Sequence, residues 1–281
     1  MKLARYGEPG AERPGLIAPD GSLRDLAHVI ADVSGEVLGE AGLDGLRRLD
    51  PEELPPVEGN PRTAPPVGAV GKFIGVGLNY ADHAAETGAA IPAEPVLFTK
   101  ANSCIGGAYD DVRFPAGAEK GDWEVELALV IGRRATDVGE SRALDHVCGY
   151  CVCNDVSERA FQMEGTGQWL KGKSHDSWGP LGPWLVTRDE IHDPQNLELW
   201  LDLNGERRQT GHTSTMVFAV PELVAFISRF MTLLPGDVIT TGAPPGVGMG
   251  QKPPRYLRAG DEMRLGVEGL GEQRQRVVIG A

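Results

Sequence analysis

Three acidic residues stand at the ends of two apolar runs of the sequence. Glu124 and Glu126 are two residues apart, so in a strand both side chains point to one face, roughly 7 Å apart at Cα. Asp155 ends the run GYCVCND and could add a third oxygen if the two strands are neighbours. Buried like charges are costly unless a cation lies between them, and carboxylates suit Mg²⁺, Mn²⁺ or Ca²⁺ better than zinc. The alternative is an exposed strand edge.

His83 and Glu86 are three residues apart in the segment NYADHAAE. If residues 81–87 form a helical turn, the two side chains share one face. A carboxylate beside an imidazole fixes its tautomer and raises its basicity, which is the arrangement that activates a water molecule. Spacing alone is equally compatible with an ordinary surface pair on a helix.

Arg159 and Gln162 follow the second apolar run and lie three residues apart on a predicted helical turn. Arginine is the natural partner of a substrate carboxylate, because it can donate two parallel hydrogen bonds. The alternative is that Arg159 pairs with Glu158 or Glu164 in solvent, where such a pair contributes little.

Lys173 lies in a predicted loop between glycine and serine and could reach an anionic intermediate, although most lysines are simply exposed. Residues 167–174 match the phosphate-loop pattern G-x4-G-K-S letter for letter. That pattern needs a strand before it and a helix after it. Here the segment that follows, HDSWGPLGPW, is too rich in Gly and Pro to be that helix, so we predict no phosphate loop.

The elements that must position these residues are mostly strands. Gly75-Val76-Gly77 is half of a dinucleotide fingerprint, and we interpret it as a tight turn that exposes the residues after it. An amphipathic helix is predicted over 221–233, with proline in its first turn. Apolar runs between Gly/Pro turns predict strands at 73–76, 96–98, 125–131, 147–153, 184–186, 197–203, 238–240, 263–267 and 277–279.

The pattern divides the chain into three parts. Residues 1–50 form a small N-terminal α+β unit, residues 51–70 a Pro-rich linker, and residues 71–281 a mixed, β-rich catalytic domain.

Three of the four cysteines lie at 148, 151 and 153, and we expect buried free thiols there. A zinc site completed by His146 is the alternative.

Charge and hydropathy exclude several classes of protein. The 281 residues carry a net charge of −13, and so acidic a surface disfavours nucleic-acid binding. No apolar run approaches the ~18 residues of a membrane span. The start MKLARYGEPG lacks the apolar core of a signal peptide, so we expect a cytoplasmic protein.

In their order along residues 70–280, several segments resemble the fumarylacetoacetate hydrolase family. They are GLNYADHAAE, EPVLFTK, DWEVELALVIG, GYCVCNDVSERAFQ, KGKSHDSWGPLGPW, NGERRQTGHTSTMVF, LLPGDVITTGAPPGVG and AGDEMRLGVEGLGEQR. The N-terminal unit and the QKPPRYL insertion are most similar to the branch of 2,4-diketo-3-deoxy-sugar-acid hydrolases, whose members are often labelled ureidoglycolate lyase.

The resemblance implies a mixed β-sandwich roll, usually a homodimer. It further implies a divalent cation on Glu124, Glu126 and Asp155, a water-activating pair at His83 and Glu86, a catalytic lysine at Lys173, substrate contacts at Arg159 and Gln162, and Thr241 in a loop that closes over the substrate. One departure is that residues 241–244 read Thr-Gly-Ala-Pro where the family often has Thr-Gly-Thr-Pro.

These expectations combine into a Mg²⁺-dependent hydrolase that cleaves a carbon–carbon bond in a 2,4-diketo acid, with pyruvate and a short carboxylic acid as products. Mn²⁺ and Ca²⁺ are alternative cations. Alternative reactions at the same site are oxaloacetate decarboxylation, isomerisation of a 2-hydroxydienoate and ureidoglycolate cleavage. A protein that binds small keto acids without converting them is the non-enzymatic alternative.

Overall fold

The computed structural model describes residues 1–82, 86, 88 and 90–280. Its helices are α1 (Glu40–Arg47), α2 (Glu140–Ala143), α3 (Arg159–Met163), α4 (Trp169–Lys173) and α5 (Val220–Phe230). Its strands are β1 (Lys2–Tyr6), β2 (Arg13–Ile17), β3 (Leu23–Asp25), β4 (Thr63–Ala64), β5 (Phe73–Gly77), β6 (Val96–Lys100), β7 (Ile105–Gly107), β8 (Val112–Phe114), β9 (Gly121–Asp122), β10 (Val125–Ile131), β11 (Val147–Asn154), β12 (Ser157–Glu158), β13 (Gly179–Thr187), β14 (Glu198–Leu203), β15 (Glu206–His212), β16 (Val238–Thr240), β17 (Glu262–Val267) and β18 (Gly271–Ile279).

Two sheets pack face to face around the core. The larger has the order β3-β2-β1-β13-β11-β10-β16-β5-β6, with β4 on β1 and β7 on β13. The smaller has the order β15-β14-β17-β18-β8, and its strands β14 and β17 contact β10. All nine predicted strands overlap an observed one. The predicted α+β, β-rich fold is therefore confirmed.

The central strands β10 and β11 are buried along their whole length, and strands β14, β17 and β18 of the smaller sheet pack against them. Burial raises the pKa of the cysteine thiols in β11, and all of them are free. Among the described residues, the candidate metal ligands that cluster are carboxylates and include no cysteine. The thiols thus belong to the core, as predicted.

The N-terminal residues extend the larger sheet. Leu3 in β1 pairs with Leu185 in β13, and β2 and β3 continue the sheet outward. In the Pro-rich segment, β4 adds a two-residue pairing to β1. The division of the chain at residues 50 and 70 stays a prediction.

The predicted amphipathic helix is α5, which has proline in its first turn. It ends at Phe230, three residues before the predicted end at 233. The reason is that Leu233 exchanges two backbone hydrogen bonds with Ala135, which requires extended chain there. No helix in the described part of the chain is both long and apolar enough to cross a bilayer.

Candidate active site

Three carboxylates converge at one end of the β10–β11 pair. The antiparallel register places Glu126 opposite Cys153, and the backbone N–H of Asp155 donates to the carbonyl of Glu124 at 2.9 Å. Glu124, Glu126 and Asp155 are buried, and one carboxylate oxygen from each lies within 4.8 Å of the others. The structure therefore brings the three predicted ligands together, because their strands are neighbours.

Lys173 lies among these carboxylates. Its ammonium group is 2.6 Å from Glu124 Oε2 and 2.6 Å from Asp155 Oδ2, and the side chain is 2% exposed. The lysine ends the short helix α4, so the loop predicted for it was wrong. The lysine of the phosphate-loop pattern thus contacts carboxylates, in agreement with the prediction that the pattern is a chance match.

Arg159 is buried and binds three partners with three different nitrogens. Its Nε donates to Asp122 Oδ2 at 2.8 Å, its Nη2 to Glu124 Oε1 at 2.7 Å and its Nη1 to Gln162 Oε1 at 3.0 Å. Since Gln162 accepts through its oxygen, its amide N–H groups are the ones left for a ligand.

The solvent pairs considered for Arg159 do not form. Glu158 is buried and accepts at 2.5 Å from the backbone N–H of Phe161, which caps the first turn of α3. Glu164 instead lies 2.5 Å from Lys120 at the surface. Arg159 points inward because two buried carboxylates, Asp122 and Glu124, attract it there.

Sequence reasoning missed two residues of the site, Lys100 and Asp122. Lys100 is buried at the end of β6, and its Nζ lies 2.5 Å from Asp155 Oδ1. Asp122 precedes Glu124 by two residues, so the alternation that placed Glu124 and Glu126 on one face also applied to it. For Lys100 the available signal was a lone charge that ends an apolar strand.

The two glutamates have opposite protonation tendencies. Burial alone would raise the pKa of Glu124, but the charges of Arg159 and Lys173 overcome that effect and lower it below the ordinary value. For Glu126, burial raises the pKa well above the ordinary value, and the negative charges of Asp155 and Glu124 raise it further. A bound cation would oppose this increase, because it favours the charged carboxylate.

Residues 241–250 form a loop that donates backbone N–H groups to three acidic residues. Gly242 donates to Glu126 at 2.8 Å, Gly246 to Glu86 at 3.1 Å, and Gly248 to Asp122 at 2.6 Å. Gly242 and Gly246 have φ angles of 92° and 102°, a backbone region that favours glycine. The Gly-rich run TTGAPPGVGMG thus shapes a backbone that binds carboxylates.

Of the residues predicted for the site near this loop, the structure describes Thr241 and Glu86. Thr241 is buried, and its hydroxyl donates to the carbonyl of Leu127 at 2.9 Å, while Ala243 lines the cavity. Both Glu86 carboxylate oxygens accept from Gly246 at 3.1 Å. His83 lies outside the described residues, so its pairing with Glu86 stays a prediction.

A cavity of about 220 Å³ opens above the carboxylates. Its polar lining consists of Glu124, Glu126, Asp155, Arg159, Gln162 and Lys173, and its apolar lining includes Leu78, Phe98, Met163, Trp169, Ala243 and Met249. A larger cavity of about 500 Å³ lies beside α1 and α2, remote from the carboxylates. The chemistry of the residues, rather than the size of the cavity, identifies the candidate site.

Phe98 and Trp169 form an aromatic wall of the small cavity, and each ring packs against a glycine of β5. The rings of Phe98 and Trp169 lie 5.5 Å apart, centroid to centroid. A Cβ atom on Gly75 would lie 2.2 Å from the ring of Phe98, and one on Gly77 would lie 2.5 Å from the ring of Trp169. The predicted tight turn at Gly75-Val76-Gly77 was therefore wrong, since these residues form a strand whose glycines admit the two rings.

The donor set fits a hard divalent cation. Oxygens bound to one Mg²⁺ or Ca²⁺ lie roughly 2.0–2.6 Å from the ion, so three oxygens within 4.8 Å of one another can share it. The ammonium of Lys173 already bridges two of these residues, which shows that the position attracts positive charge.

The comparison with known proteins agrees with this geometry. The fumarylacetoacetate (FAA) hydrolase C-terminal family matches residues 72–278. This chain belongs to the fumarylacetoacetate hydrolase family. A Burkholderia multivorans protein that carries the general name of hydrolase is 61% identical over 276 residues, 98% of each chain.

Two solved structures of similar fold carry different activities in their names. One is 5-carboxymethyl-2-hydroxymuconate delta-isomerase from Mycobacterium smegmatis, with a TM-score of 0.78, 35% identity and full coverage of both chains. The other is maleylpyruvate hydrolase from Sphingobium sp. SYK-6, solved with manganese(II) and pyruvate, with a TM-score of 0.84, 28% identity and full coverage of both chains. The family thus includes both a hydrolase and an isomerase on this fold.

Proposed function

We propose that this member of the fumarylacetoacetate hydrolase family is a metal-dependent hydrolase that cleaves a carbon–carbon bond of a 2,4-diketo acid. The observation that carries the proposal is the set of three buried carboxylates within 4.8 Å, two of them bridged by a buried ammonium group, beside a small cavity. The manganese and pyruvate bound to the similar maleylpyruvate hydrolase support both the cation and one product.

Glu124, Glu126 and Asp155 would hold the cation, and Mg²⁺ is our first choice with Mn²⁺ as the alternative. When bound, the ion supplies a Lewis acid for the keto oxygens of the substrate. Asp122 and Lys100 would support this set through contacts with its neighbours and members. Asp122 fixes Arg159, and Lys100 holds the second oxygen of Asp155.

Arg159 and Gln162 would bind the substrate carboxylate. The guanidinium of Arg159 has five N–H donors, and three hydrogen bonds to protein are accounted for above, so donors remain for a ligand. The side chain is held in place before substrate arrives, which lowers the entropic cost of binding.

The reaction adds the elements of water across the bond between C3 and C4. His83, oriented by Glu86, would take a proton from water as its oxygen attacks the C4 carbonyl. The C3–C4 bond then breaks, its electron pair stays on C3, and protonation of C3 gives the methyl group of pyruvate. The C4 fragment leaves as a carboxylic acid. The ammonium of Lys173 would stabilise the oxyanion and then the enolate of pyruvate.

A second candidate is isomerisation of a 2-hydroxydienoate, which the similar isomerase structure favours. Isomerisation moves a proton and needs no attacking water. Decarboxylation of oxaloacetate likewise needs no attacking water. Ureidoglycolate cleavage is a further alternative. His83→Ala therefore separates these reactions, since it should lower hydrolysis roughly 10²-fold or more and leave most isomerase or decarboxylase activity.

The deciding experiment measures pyruvate release from acylpyruvates and from 2,4-diketo-3-deoxy sugar acids, with Mg²⁺ or with EDTA. We expect turnover with the metal and its loss with EDTA. Full turnover in EDTA would contradict the proposal. Binding of pyruvate or oxalate with Mg²⁺, while every candidate substrate stays unchanged, would identify a keto-acid binder instead.

We further propose a cytoplasmic homodimer that binds neither nucleic acid nor membrane. The support is the acidic net charge of −13 and the resemblance to a family whose members are usually dimeric. Light scattering of the purified protein at micromolar concentration measures the oligomeric state, and a single-protomer mass would contradict this part of the proposal.

A further inference from the structure

We infer that the substrate carries an apolar acyl tail, alkyl or aryl, in preference to a hydroxylated or an anionic one. The inference rests on the proposed function and specifies its substrate class. It follows from the lining of the 220 Å³ cavity, in which polar and apolar residues differ in depth.

The polar residues form the floor of the cavity. Glu126 is 1% exposed and Lys173 2%, and both belong to the carboxylate cluster. The most exposed apolar residues lie at the mouth, where Met163 is 52% exposed and Met249 37%, while Val76 and Ala243 line the cavity deeper down. A keto acid whose polar head reaches the floor must therefore direct its tail along Met163, Met249 and the aromatic wall.

The aromatic wall is fixed in place. The ring of Trp169 lies so close to Gly77 that a Cβ atom there would be 2.5 Å from it, and the ring of Phe98 lies as closely over Gly75. The two rings also contact each other at 5.5 Å. Such a surface gains free energy by burying methylene or aryl groups, and the indole N–H of Trp169 is the one strong hydrogen-bond donor among its side chains.

The described cations of the cavity lie at its floor, where Arg159 is the proposed partner of the head carboxylate. Arg159 binds Asp122 and Glu124, and Lys173 binds Glu124 and Asp155. No Lys, Arg or His belongs to the apolar lining among the described residues. A second carboxylate in the tail would thus lose its hydration without gaining a partner there.

Hydroxyl groups in the tail would meet the same difficulty. The one threonine of the 241–250 loop, Thr241, donates its hydroxyl to the carbonyl of Leu127. Ala243, which lines the cavity, has only a methyl group to offer. A sugar-derived tail would therefore bury hydroxyls against apolar side chains, which costs free energy unless they are hydrogen-bonded.

The test compares kcat/KM for 2,4-dioxo acids of matched length with Mg²⁺ present. The series contains acetylpyruvate, its straight-chain homologues with one to four more methylenes, benzoylpyruvate, a six-carbon acid with hydroxyls at C5 and C6, and maleylpyruvate. We expect a rise of roughly three- to four-fold for each methylene that becomes buried. We also expect the apolar tail to exceed the hydroxylated and the anionic tail of similar length at least about ten-fold.

Two substitutions on α4 test whether the substrate tail contacts Trp169. Trp169→Ala should lower kcat/KM for benzoylpyruvate roughly ten-fold while changing acetylpyruvate much less, since only the longer tail reaches the ring. The activity with acetylpyruvate also reports whether Lys173, on the same helix, keeps its place. Leu170→Ala is the matched control, because Leu170 is 47% exposed on that helix and does not line the cavity.

The outcomes separate the two proposals. If no member of the series is hydrolysed, the proposed function fails and this inference fails with it. If the hydroxylated or anionic tail is hydrolysed as well as the apolar one, the proposed function stands and the apolar tail is wrong. Equal losses for both substrates in Trp169→Ala would likewise contradict the assignment of Trp169 to the tail.

Discussion

The ammonium of Lys173 and the carboxylate of Glu124 form a buried ion pair of 2.6 Å. The pair joins α4 to the residue that precedes β10. The helix has five residues, too few to be stable by itself, so this contact and the one to Asp155 help to hold it. One side chain thus stabilises the local fold and supplies the positive charge proposed for catalysis.

Lys173→Met should lower both stability and activity. Removal of one member of a buried charge pair costs about 3–5 kcal/mol, because the remaining carboxylates lose their partner. Loss of a donor to a developing oxyanion should reduce turnover roughly 10²- to 10³-fold. Urea unfolding in EDTA and pyruvate release measure the two effects. The control is Lys171→Met, which removes an exposed ammonium from the same helix and should change neither.

Glu126→Gln and Glu124→Gln should differ in the metal-free protein. Glutamine resembles the protonated form that Glu126 favours, so stability in EDTA should change little. Glu124→Gln leaves Arg159 and Lys173 without a shared carboxylate and should destabilise the protein. Both variants should lose the shift in melting temperature caused by Mg²⁺, which for the wild type reflects about 2.7 kcal/mol at 100 times Kd.

The control for these two substitutions is Glu164→Gln, since the Glu164 side chain is 62% exposed. Its melting temperature should rise with Mg²⁺ as that of the wild type does. If Mg²⁺ raises the melting temperatures of all four proteins equally, the assignment of Glu124 and Glu126 as ligands is wrong.

Metal affinity should increase with pH. The pKa of Glu126 is raised in the metal-free protein, chiefly by burial, so its carboxyl group carries a proton below that raised pKa. A metal ligand must be deprotonated, so binding releases this proton. Affinity should rise by up to about ten-fold per pH unit below that pKa and level off above it. Calorimetric titration in two buffers of different ionisation enthalpy counts the released protons, and a count of zero would contradict the assignment.

Asp122→Asn should loosen the loop at residues 248–249. Asp122 accepts from the backbone N–H groups of Gly248 at 2.6 Å and Met249 at 3.1 Å, and the amide would weaken these contacts and that with Arg159. We expect faster hydrogen exchange at the two backbone amides and a raised KM. Asp111→Asn at an exposed position is the control, and unchanged exchange in Asp122→Asn would refute this role.

The sequence was sufficient to predict nine of the eighteen strands described and the carboxylate cluster. Glu124 and Glu126 lie at the start of a continuous apolar run, and period-two alternation predicts the face that they share. The contact with Asp155 required only that β10 and β11 be neighbours, and consecutive strands often are. Both predictions depend on local spacing, which a single sequence displays directly.

Lys100 and the β5 glycines could not be placed in this way. Lys100 meets Asp155 through a contact between residues 55 positions apart, and no local pattern encodes that partner. Gly75 and Gly77 looked like a turn because glycine favours turns, yet the rings that need the space belong to Phe98 and Trp169 on other elements. Long-range packing decided both outcomes.

The glycines of β5 influence the width of the pocket but contribute no reactive group to it. Neither Gly75 nor Gly77 contributes a side chain to the polar floor, yet each fixes how far an aromatic ring can approach the strand. A single added methyl group at Gly77 would push against the ring of Trp169 without adding or removing a polar group at the floor. Laboratory selection for new tails can therefore begin at β5, and divergence in substrate range within this scaffold needs no change in the groups that break the bond.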